Sequence, residues 1–349
     1  LHHDPDPPVR AGGEPELTMH LRLVSGVVAS ILLSAGAPFV LGDGALRLWT
    51  EALLILTMAQ MWNLLAGYAG LVSFGHQVFV AAGAYALFLA AEALNVSPYW
   101  VLPLAPLAAA FLAALVALPL FRLRDAYFSI GIWVFSEIVA TLVTKSSLTG
   151  ATAGLPLKTS SLMDLDWFEP TLFWIASVQA LAATAGLLLL MRSEFGLGIM
   201  SVRDNDVAAM SVGVDVQRNR LIVFVISAAG CGAAGAVNFL SNLYLSPASA
   251  FDVSWVVNMM FIVVIGGIGT LEGPIIGTLL FFALREIVTG QLGLSGGWYL
   301  VALGSVAVGT MLWSPRGLWP ALSARWGLRF MSVERKAPRL ALQDKPNND

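Results

Sequence analysis

Long runs of uncharged, mostly apolar residues alternate with short polar stretches along the chain, and two of the longest are residues 52–91 and 221–251. A helix needs about 20 apolar residues to cross the hydrocarbon core of a membrane, so each such run predicts at least one crossing. Division of the runs at charges, prolines and glycine clusters predicts ten spans, at residues 21–41, 46–66, 75–94, 100–121, 126–145, 171–191, 221–245, 254–268, 273–289 and 297–314. The predicted fold is an all-α, polytopic transmembrane helical bundle of about eight to ten spans, with broken or re-entrant helices.

The polar residues set the limits of this membrane region. Residues 1–20 are polar and proline-rich, which predicts a disordered N-terminal tail. Residues 21–315 form the predicted membrane domain, and residues 316–349 form a short basic C-terminal tail. The composition agrees with a membrane protein. Of the residues, 57% are hydrophobic and 12% are charged, against roughly 25% charged in soluble domains. A soluble fold would have too little polar surface to cover such a core.

The basic residues orient the spans. When the C-terminal tail is placed inside and the spans alternate backwards from it, 15 of the 19 Lys and Arg residues fall on that side. Cytoplasmic loops of membrane proteins carry an excess of Lys and Arg. The pattern therefore predicts a multi-pass protein with both termini in the cytoplasm.

Glycine clusters interrupt two of the apolar regions. The first cluster follows the second predicted span, and the second has the sequence GGIGTLEGP. Backbone groups freed by such breaks must be buried in protein or face a water-filled cavity, and broken helices are typical of transport pathways. Hinges in the translocation path are one interpretation and tight interfacial turns are the other. The residues concerned are Gly67, Gly70, Gly75, Gly266, Gly267 and Gly269. His76, beside the first break, is expected to anchor the hinge, and contact with the solute is the alternative.

Residues 192–220 differ from everything around them, because they hold eight charged side chains and lack the apolar length to span. Asp204 or Asn205 is suited to cap a short helix, and Gly213 is placed to end it. This pattern predicts a short cytoplasmic helix between two spans, which serves as a docking surface. An ordinary solvated loop is the alternative.

The sequence offers little reactive chemistry. It has neither H-E-x-x-H nor the G-x-x-x-x-G-K-[ST] phosphate-binding loop, and His76 has no Asp, Glu or Cys within two helical turns. The single cysteine, Cys231, allows no intrachain disulfide and no multi-cysteine metal site. No enzymatic activity, metal site or nucleic-acid partner is therefore expected. Glu137 lies deep in a predicted span, where it is either a proton relay or a structural partner for a nearby polar group.

Uncharged polar residues within the spans are more informative. Gln60 and Asn63 are three residues apart, and Asn238 and Asn242 share one helical face. The stretch SAAGCGAAGA, residues 227–236, forms a small-residue surface that lets helix backbones approach closely. Helix packing is the first explanation of these residues. A path lined by amides and small side chains, passing a small polar solute, is the second.

Three stretches together resemble a known family. WNLLAGYAGLVSFGHQVFVAAGAYA, RDNDVAAMSVGVDVQRNRLIVFVISAAGCGAAGAV and GGIGTLEGPIIGTLLF are similar to the three signature regions of LivM-type permeases. These belong to the branched-chain amino acid (HAAT) family of bacterial ABC importers. The resemblance runs from about residue 50 to 315, with the motifs in the same order.

The resemblance implies a channel-forming subunit of the bacterial inner membrane that works by alternating access and binds no cofactor itself. ATP and Mg would be used by two cytoplasmic ABC ATPases (LivG/LivF-like), a second permease (LivH-like) would complete the path, and a periplasmic binding protein would deliver the solute. Branched-chain or related small amino acids are the implied solutes, with urea or short amides as alternatives. The coupling helix would lie in the segment that contains Arg203, Asp204, Asn205, Asp206, Val207, Ala208, Ala209 and Gly213.

One segment departs from the family pattern. LTGATAGLPL, residues 148–157, resembles a T-G-G-T-x-G-L segment, but Ala151 stands where the family has glycine. This puts the backbone geometry there in doubt. Two other functions remain open from the residues alone. An ion-coupled secondary transporter would use Glu137 as its coupling acid, and a membrane-anchored structural or signalling subunit would carry no solute.

Overall fold

The structure is a computed structural model that describes residues 31–32, 34–123, 126–164, 166–291, 293, 297–314 and 317–326. The predicted N-terminal tail, most of the first predicted span and residues 327–349 lie outside the described residues. The helices are α1 Asp43–Asn63, α2 Gln77–Leu94, α3 Pro98–Val101, α4 Leu104–Leu120, α5 Ala126–Lys145, α6 Phe168–Arg192, α7 Glu194–Asp204, α8 Asp206–Ser211, α9 Val216–Asn242, α10 Pro247–Ala250, α11 Ser254–Gly266, α12 Gly273–Arg285, α13 Gly297–Trp313 and α14 Leu318–Trp326. Two short strands, β1 Leu155–Pro156 and β2 Tyr244–Leu245, form one antiparallel pair.

The all-α polytopic bundle is confirmed. Seven of the described helical segments are long and apolar enough to cross a membrane, and they follow seven of the ten predicted spans. α1 matches an eighth predicted span in length but carries both charged and amide side chains, and α13 matches the tenth as a shorter apolar helix. Part of the predicted C-terminal tail forms α14, which packs on α11 and α12.

Contacts between distant segments agree with the predicted alternation of the spans. On one side, β1 pairs with β2, Lys158 Nζ lies 3.1 Å from Glu92 Oε1, and Arg47 donates to Asn242 Oδ1 over 3.0 Å. All these segments are predicted to be on the outer side. On the opposite side the turn at Gly317 packs against Gly267. The two ends of the bundle are thus distinct, and the assignment of one end to the cytoplasm stays a prediction.

Close packing of α2, α4 and α9 forms the core of the bundle. A Cβ placed on Gly83 would lie 2.0 Å from the Gly232 carbonyl oxygen, and one on Gly232 would lie 2.4 Å from Ala109 Cβ. A Cβ on Gly235 would lie 2.5 Å from the Val80 carbonyl oxygen. Helix backbones without side chains between them gain van der Waals contact, which is the main attraction between helices in lipid. The small-residue surface of α9 is therefore a packing surface.

The segment in which alanine replaces the family's glycine keeps a conformation that favours glycine. Ala151 has φ +48°, and Gly150 before it has φ +72°. The Ala151 N–H donates to Ser146 O over 3.0 Å, and the Tyr244 hydroxyl donates to Ala153 O, so the turn is held on both sides. A Cβ in the left-handed region costs roughly 1–2 kcal/mol. The alanine therefore leaves strain in this turn.

Replacement of Ala151 by glycine is expected to stabilise the protein by about 0.5–1 kcal/mol, since relief of the strain outweighs the greater backbone entropy of unfolded glycine. The measurement is thermal unfolding of the detergent-solubilised protein. Ala153→Gly is the matched control, because Ala153 lies in the same turn without a positive φ. It should lower the stability by a similar amount. A melting temperature of A151G at or below the wild-type value would contradict the strain.

Candidate functional site

The first glycine break joins α1 to α2. α1 ends at Asn63, and the chain continues as a π-helical turn, Leu64–Tyr68, before the irregular stretch that leads to α2. Gly70 then has φ +72°, and α2 begins after His76. Single π turns in helices often mark functional positions. The predicted end of a helix at this cluster is confirmed.

The second break separates α11 from α12. α11 ends at Gly266, and the next residues with positive φ are Gly267 at +133° and Gly269 at +73°. α12 begins at Gly273, and a Cβ on Gly266 would lie 1.9 Å from the Gly273 carbonyl oxygen. The two helices thus meet at a sharp turn that only glycine accommodates. We call residues 267–272 the second loop.

The two breaks contact each other. A Cβ on Gly67 would lie 2.5 Å from the Gly269 backbone nitrogen, so the two backbones are in direct contact. The Asn63 side chain holds them together: its Nδ2 donates to Thr270 O over 2.8 Å, and its Oδ1 accepts from the Gly269 N–H over 2.8 Å. One amide therefore satisfies both a donor and an acceptor of the second loop.

Gln60 adds a third hydrogen bond to the second loop, because its Nε2 donates to Leu271 O over 2.9 Å. The side chains of Gln60 and Asn63 are fully buried. Backbone groups in a broken membrane helix need such partners because no water reaches them in the bilayer core. These two amides stabilise the break in this conformation, and their predicted role in lining a path stays a prediction.

Arg203 connects the polar segment to this pair of breaks. It lies in the last turn of α7, and its guanidinium Nη1 donates to Gly67 O over 3.0 Å. Its Cγ would lie 3.0 Å from a Cβ on Gly70. The same guanidinium donates to the exposed carboxylate of Asp204 over 3.1 Å. We call the contact of Arg203, the first break and the second loop the junction.

The polar segment contains two short helices, where the sequence predicted one. Ser193 caps α7 by accepting from the Gly196 N–H over 3.3 Å. Asn205 caps α8 by accepting from the Val207 and Ala208 N–H groups over 3.0 and 3.1 Å. The Asn205 side chain favours the start of a second helix here, because it accepts from N–H groups that the first turn of α8 would otherwise leave unpaired. Gly213, with φ +89°, follows α8, so its predicted place at a helix end is confirmed.

α8 exposes apolar side chains on a segment that is otherwise charged. Val207, Met210 and Val212 are 72%, 55% and 76% exposed. Ala209, on the opposite face, is buried against Val202 and Val216. Apolar side chains grouped on a surface mark interaction sites. This face of α8 has the character of a docking surface.

The pairing of Asp206 with Arg220 fixes α8 relative to α9. Asp206 Oδ2 accepts a hydrogen bond from Arg220 Nη2 over 2.6 Å, and both side chains are only partly exposed. Asp215 caps α9 by accepting from the Arg218 N–H over 3.0 Å. α8 is therefore joined to α9 by a charged pair, and α7 joins it to the junction through Arg203.

His76 lies in the middle of a series of buried hydrogen bonds. The Ser227 hydroxyl donates to Met61 O over 2.7 Å, so its oxygen accepts from His76 Nε2–H over 2.8 Å. The Ser73 hydroxyl then donates to His76 Nδ1 over 2.7 Å. These roles are those of the neutral imidazole, in which one ring nitrogen donates and the other accepts. His76 is fully buried, so in this conformation it anchors the first break and does not reach a solute.

Asn238 and Asn242 do not join the junction. Asn242 accepts from Arg47 and donates to Asn238 O over 3.0 Å. It lies at the end of α9, 26 residues from Val216, which is about 39 Å along a helix. The two asparagines thus belong to the opposite end of the bundle from Gln60 and Asn63.

The junction also uses residues that the sequence did not single out. Ser73, Ser227 and Thr270 each complete a hydrogen bond to a predicted residue or its neighbour. Their signal in the sequence is weak, because serine and threonine are common in membrane helices as packing residues. Among the residues that the structure describes, no group of three or more His, Cys, Asp or Glu side chains could hold a metal ion.

An apolar helical bundle in which two broken helices meet a polar segment outside the membrane is the architecture of a membrane transport protein. The chain belongs to the family described as "Branched-chain amino acid transport system / permease component", whose model matches residues 44–312. It is a multi-pass transport subunit rather than an enzyme, and the family resemblance that its motifs indicate is confirmed.

Individual relatives support the same assignment. The chain is 26% identical over 320 residues to the "High-affinity branched-chain amino acid transport system permease protein LivM" of Escherichia coli, with 84% of this chain and 74% of the relative covered. The LivM protein of Salmonella typhimurium matches over the same shares at 26% identity. A "Probable branched-chain amino acid transport permease protein LivH" of Methanocaldococcus jannaschii is 22% identical over 262 residues, covering 70% and 82%. No solved structure matches the chain.

Proposed function

We propose that this chain is a membrane-spanning permease subunit of an ABC importer in the bacterial inner membrane, and that it moves branched-chain or related small amino acids by alternating access. The observation that carries the proposal is the hydrogen bond from Arg203 to Gly67 O, because it ties the exposed segment to both broken helices. The names of the relatives support amino acids as the solutes. Urea and short amides are the alternative solutes.

The proposed cycle begins at α8. A cytoplasmic ATPase binds the apolar face of Val207, Met210 and Val212, and closure of the ATPase dimer moves α7 and α8 as a unit. Arg203 passes this motion to Gly67, and the Asn63 amide passes it to the second loop. The two breaks then change angle together, which opens the path to one side of the membrane at a time.

The partners follow from this division of labour. Two ABC ATPases (LivG/LivF-like) bind ATP and Mg and supply the force, so this chain needs no cofactor. A second permease (LivH-like) completes the path, and a periplasmic binding protein delivers the solute. The similarity of this chain to both LivM and LivH proteins supports a pair of related permeases. In this proposal, both termini and the polar segment lie in the cytoplasm.

The test replaces residues that shape α8 in the complete complex, reconstituted in proteoliposomes. Gly213→Val forces a branched side chain into φ +89°, and Asp206→Trp removes the pairing with Arg220. Each variant is expected to insert and to leave ATP hydrolysis running while solute uptake falls at least tenfold. Gln217→Val, exposed in the first turn of α9, is the control and should retain uptake. Normal ATPase binding and transport in both variants would refute the coupling role.

An ion-coupled carrier is the second candidate, and Glu137 in the middle of α5 is the observation that favours it. The two functions differ in what drives uptake. The importer requires its ATPases, so proteoliposomes that contain the permeases and an ion gradient but no ATPase should accumulate no solute. Accumulation in their absence, lost in Glu137→Gln, would favour the carrier.

A further inference from the structure

One carboxylate occupies the middle of a membrane-spanning helix. Glu137 lies 11 residues after Ala126 and 8 residues before Lys145, the two ends of α5. At 1.5 Å per residue, it is about 16 Å from one end and about 12 Å from the other. The side chain is too short to reach water at either end. Its position therefore requires an explanation from the protein.

The Glu137 side chain is exposed and unpaired among the residues that the structure describes. Two other acids in or at the end of a helix have a basic partner: Glu51 Oε1 lies 2.5 Å from Arg285 Nη1, and Glu92 pairs with Lys158. Of the seven candidate spans, α5 also has the smallest share of buried residues. Ionisable side chains inside a bilayer face the bundle interior or a water-filled cavity, because exposure to lipid is costly. The exposed side of α5 is therefore the wall of a wet space.

The neighbours of Glu137 give this wall a definite chemical character. Trp133 and Thr141 lie one turn to either side of it on the same stripe, and Ile138 and Leu142 flank the stripe. These side chains, all on the exposed face of α5, border an open groove of about 410 Å³. The Thr141 hydroxyl donates to Glu137 O over 2.8 Å, so its oxygen can still accept a hydrogen bond.

A single carboxylate among apolar side chains matches one class of ligand. An ammonium group is recognised by a carboxylate, and by the face of an indole through cation–π attraction. The exposed aliphatic side chains of Ile138 and Leu142 fit an apolar side chain on the same ligand. A divalent metal would need about six oxygen ligands. One carboxylate with one hydroxyl does not provide that number.

We propose that the stripe Trp133–Glu137–Thr141 lines the solute path and that Glu137 binds the ammonium group of an apolar amino acid in transit. The inference rests on the proposed function, since it identifies the site that an imported amino acid would meet within the membrane. A single charged contact in a wet groove binds weakly. Weak binding suits a path from which the solute must also leave.

The first experiment tests whether the groove is wet. Cys231, the single cysteine of this chain, is fully buried, so the wild-type chain should not react with the thiol reagent. In the assembled complex, E137C and T141C should react with a membrane-impermeant thiol reagent, and saturating leucine should slow the reaction. V178C is the control, because Val178 is 65% exposed near the middle of α6 among apolar neighbours and should face lipid. Unreactive T141C, in a complex that keeps Glu137 and imports leucine, would overturn the inference.

The second experiment tests the ammonium contact by uptake of leucine into proteoliposomes. E137Q should reduce the initial rate at low leucine concentration at least tenfold, and E137D should retain part of it. E92Q is the matched control, because Glu92 is a carboxylate at the end of α2 that does not line the groove beside Glu137. Wild-type uptake in E137Q would overturn the ammonium site. A wild-type complex that hydrolyses ATP but imports no amino acid would refute the proposed function instead, and labelling of E137C would still decide whether the groove is wet.

Discussion

Gly83→Val is expected to abolish the folded permease. A Cβ at this position would lie 2.0 Å from the Gly232 carbonyl oxygen, which belongs to the backbone of α9 and has no rotamer to move away. α9 in turn is fixed by α4, because Gly232 packs against Ala109. Separation of the helices would open the core, at a cost of about 3 kcal/mol or more. The measurement is the yield of monodisperse protein after solubilisation, which should fall at least tenfold.

Gly186→Val is the matched control for this prediction. Gly186 also lies inside a long membrane helix, α6, but nothing lies within 4 Å of a Cβ placed there. The same side chain should therefore be accepted at position 186, with a yield close to that of the wild type. Equal yields of the two variants would show that α2 and α9 are free to separate without loss of the fold.

Arg203→Ala is expected to uncouple ATP hydrolysis from transport. The substitution removes the hydrogen bond to Gly67 O and leaves α7 and α8 without their polar contact to the first break. The helices themselves should remain, because the caps of Ser193 and Asn205 are untouched. The complex should assemble and hydrolyse ATP, while uptake of leucine falls at least tenfold. Both rates are measured on the same proteoliposomes.

Asp204→Asn separates this effect from a general loss of charge. Asp204 accepts from the Arg203 guanidinium, but its side chain is 68% exposed. An exposed pair of this kind contributes less than about 1 kcal/mol. Uptake by D204N should therefore stay within about a factor of two of the wild type. If R203A transports as D204N does, the junction does not carry the motion.

The course of the chain through the bundle was predictable from local pattern. The predicted span 126–145 has the bounds of α5, and the predicted span 75–94 differs from α2 by two residues at one end. The length of each apolar run sets the length of its helix, and that length is read from residues that are neighbours in the sequence. The cap at Asn205 was predictable for the same reason, since it depends on two or three residues in sequence.

The partners within the junction were not predictable in this way. Asn63 was identified as a polar residue in a span, but packing and path lining were both open to it. Its actual partner, Gly269, is 206 positions away. Likewise, His76 pairs with Ser227 across 151 positions. Hydrogen bonds between distant segments leave no periodic trace in the sequence. The sequence identified the glycines and the amides, but only the structure shows which of them contact each other.

The long separation between the amides of α1 and the second loop has a consequence for biogenesis. Gln60 and Asn63 leave the ribosome more than 200 residues before Leu271 and Thr270, their acceptors. At about 5–20 residues per second, the wait is roughly 10–40 s. During that time two polar side chains sit in a membrane-inserted helix without their final partners. The nascent N-terminal half should therefore be a substrate for membrane proteases and insertion chaperones until the last third of the chain has been synthesised and inserted.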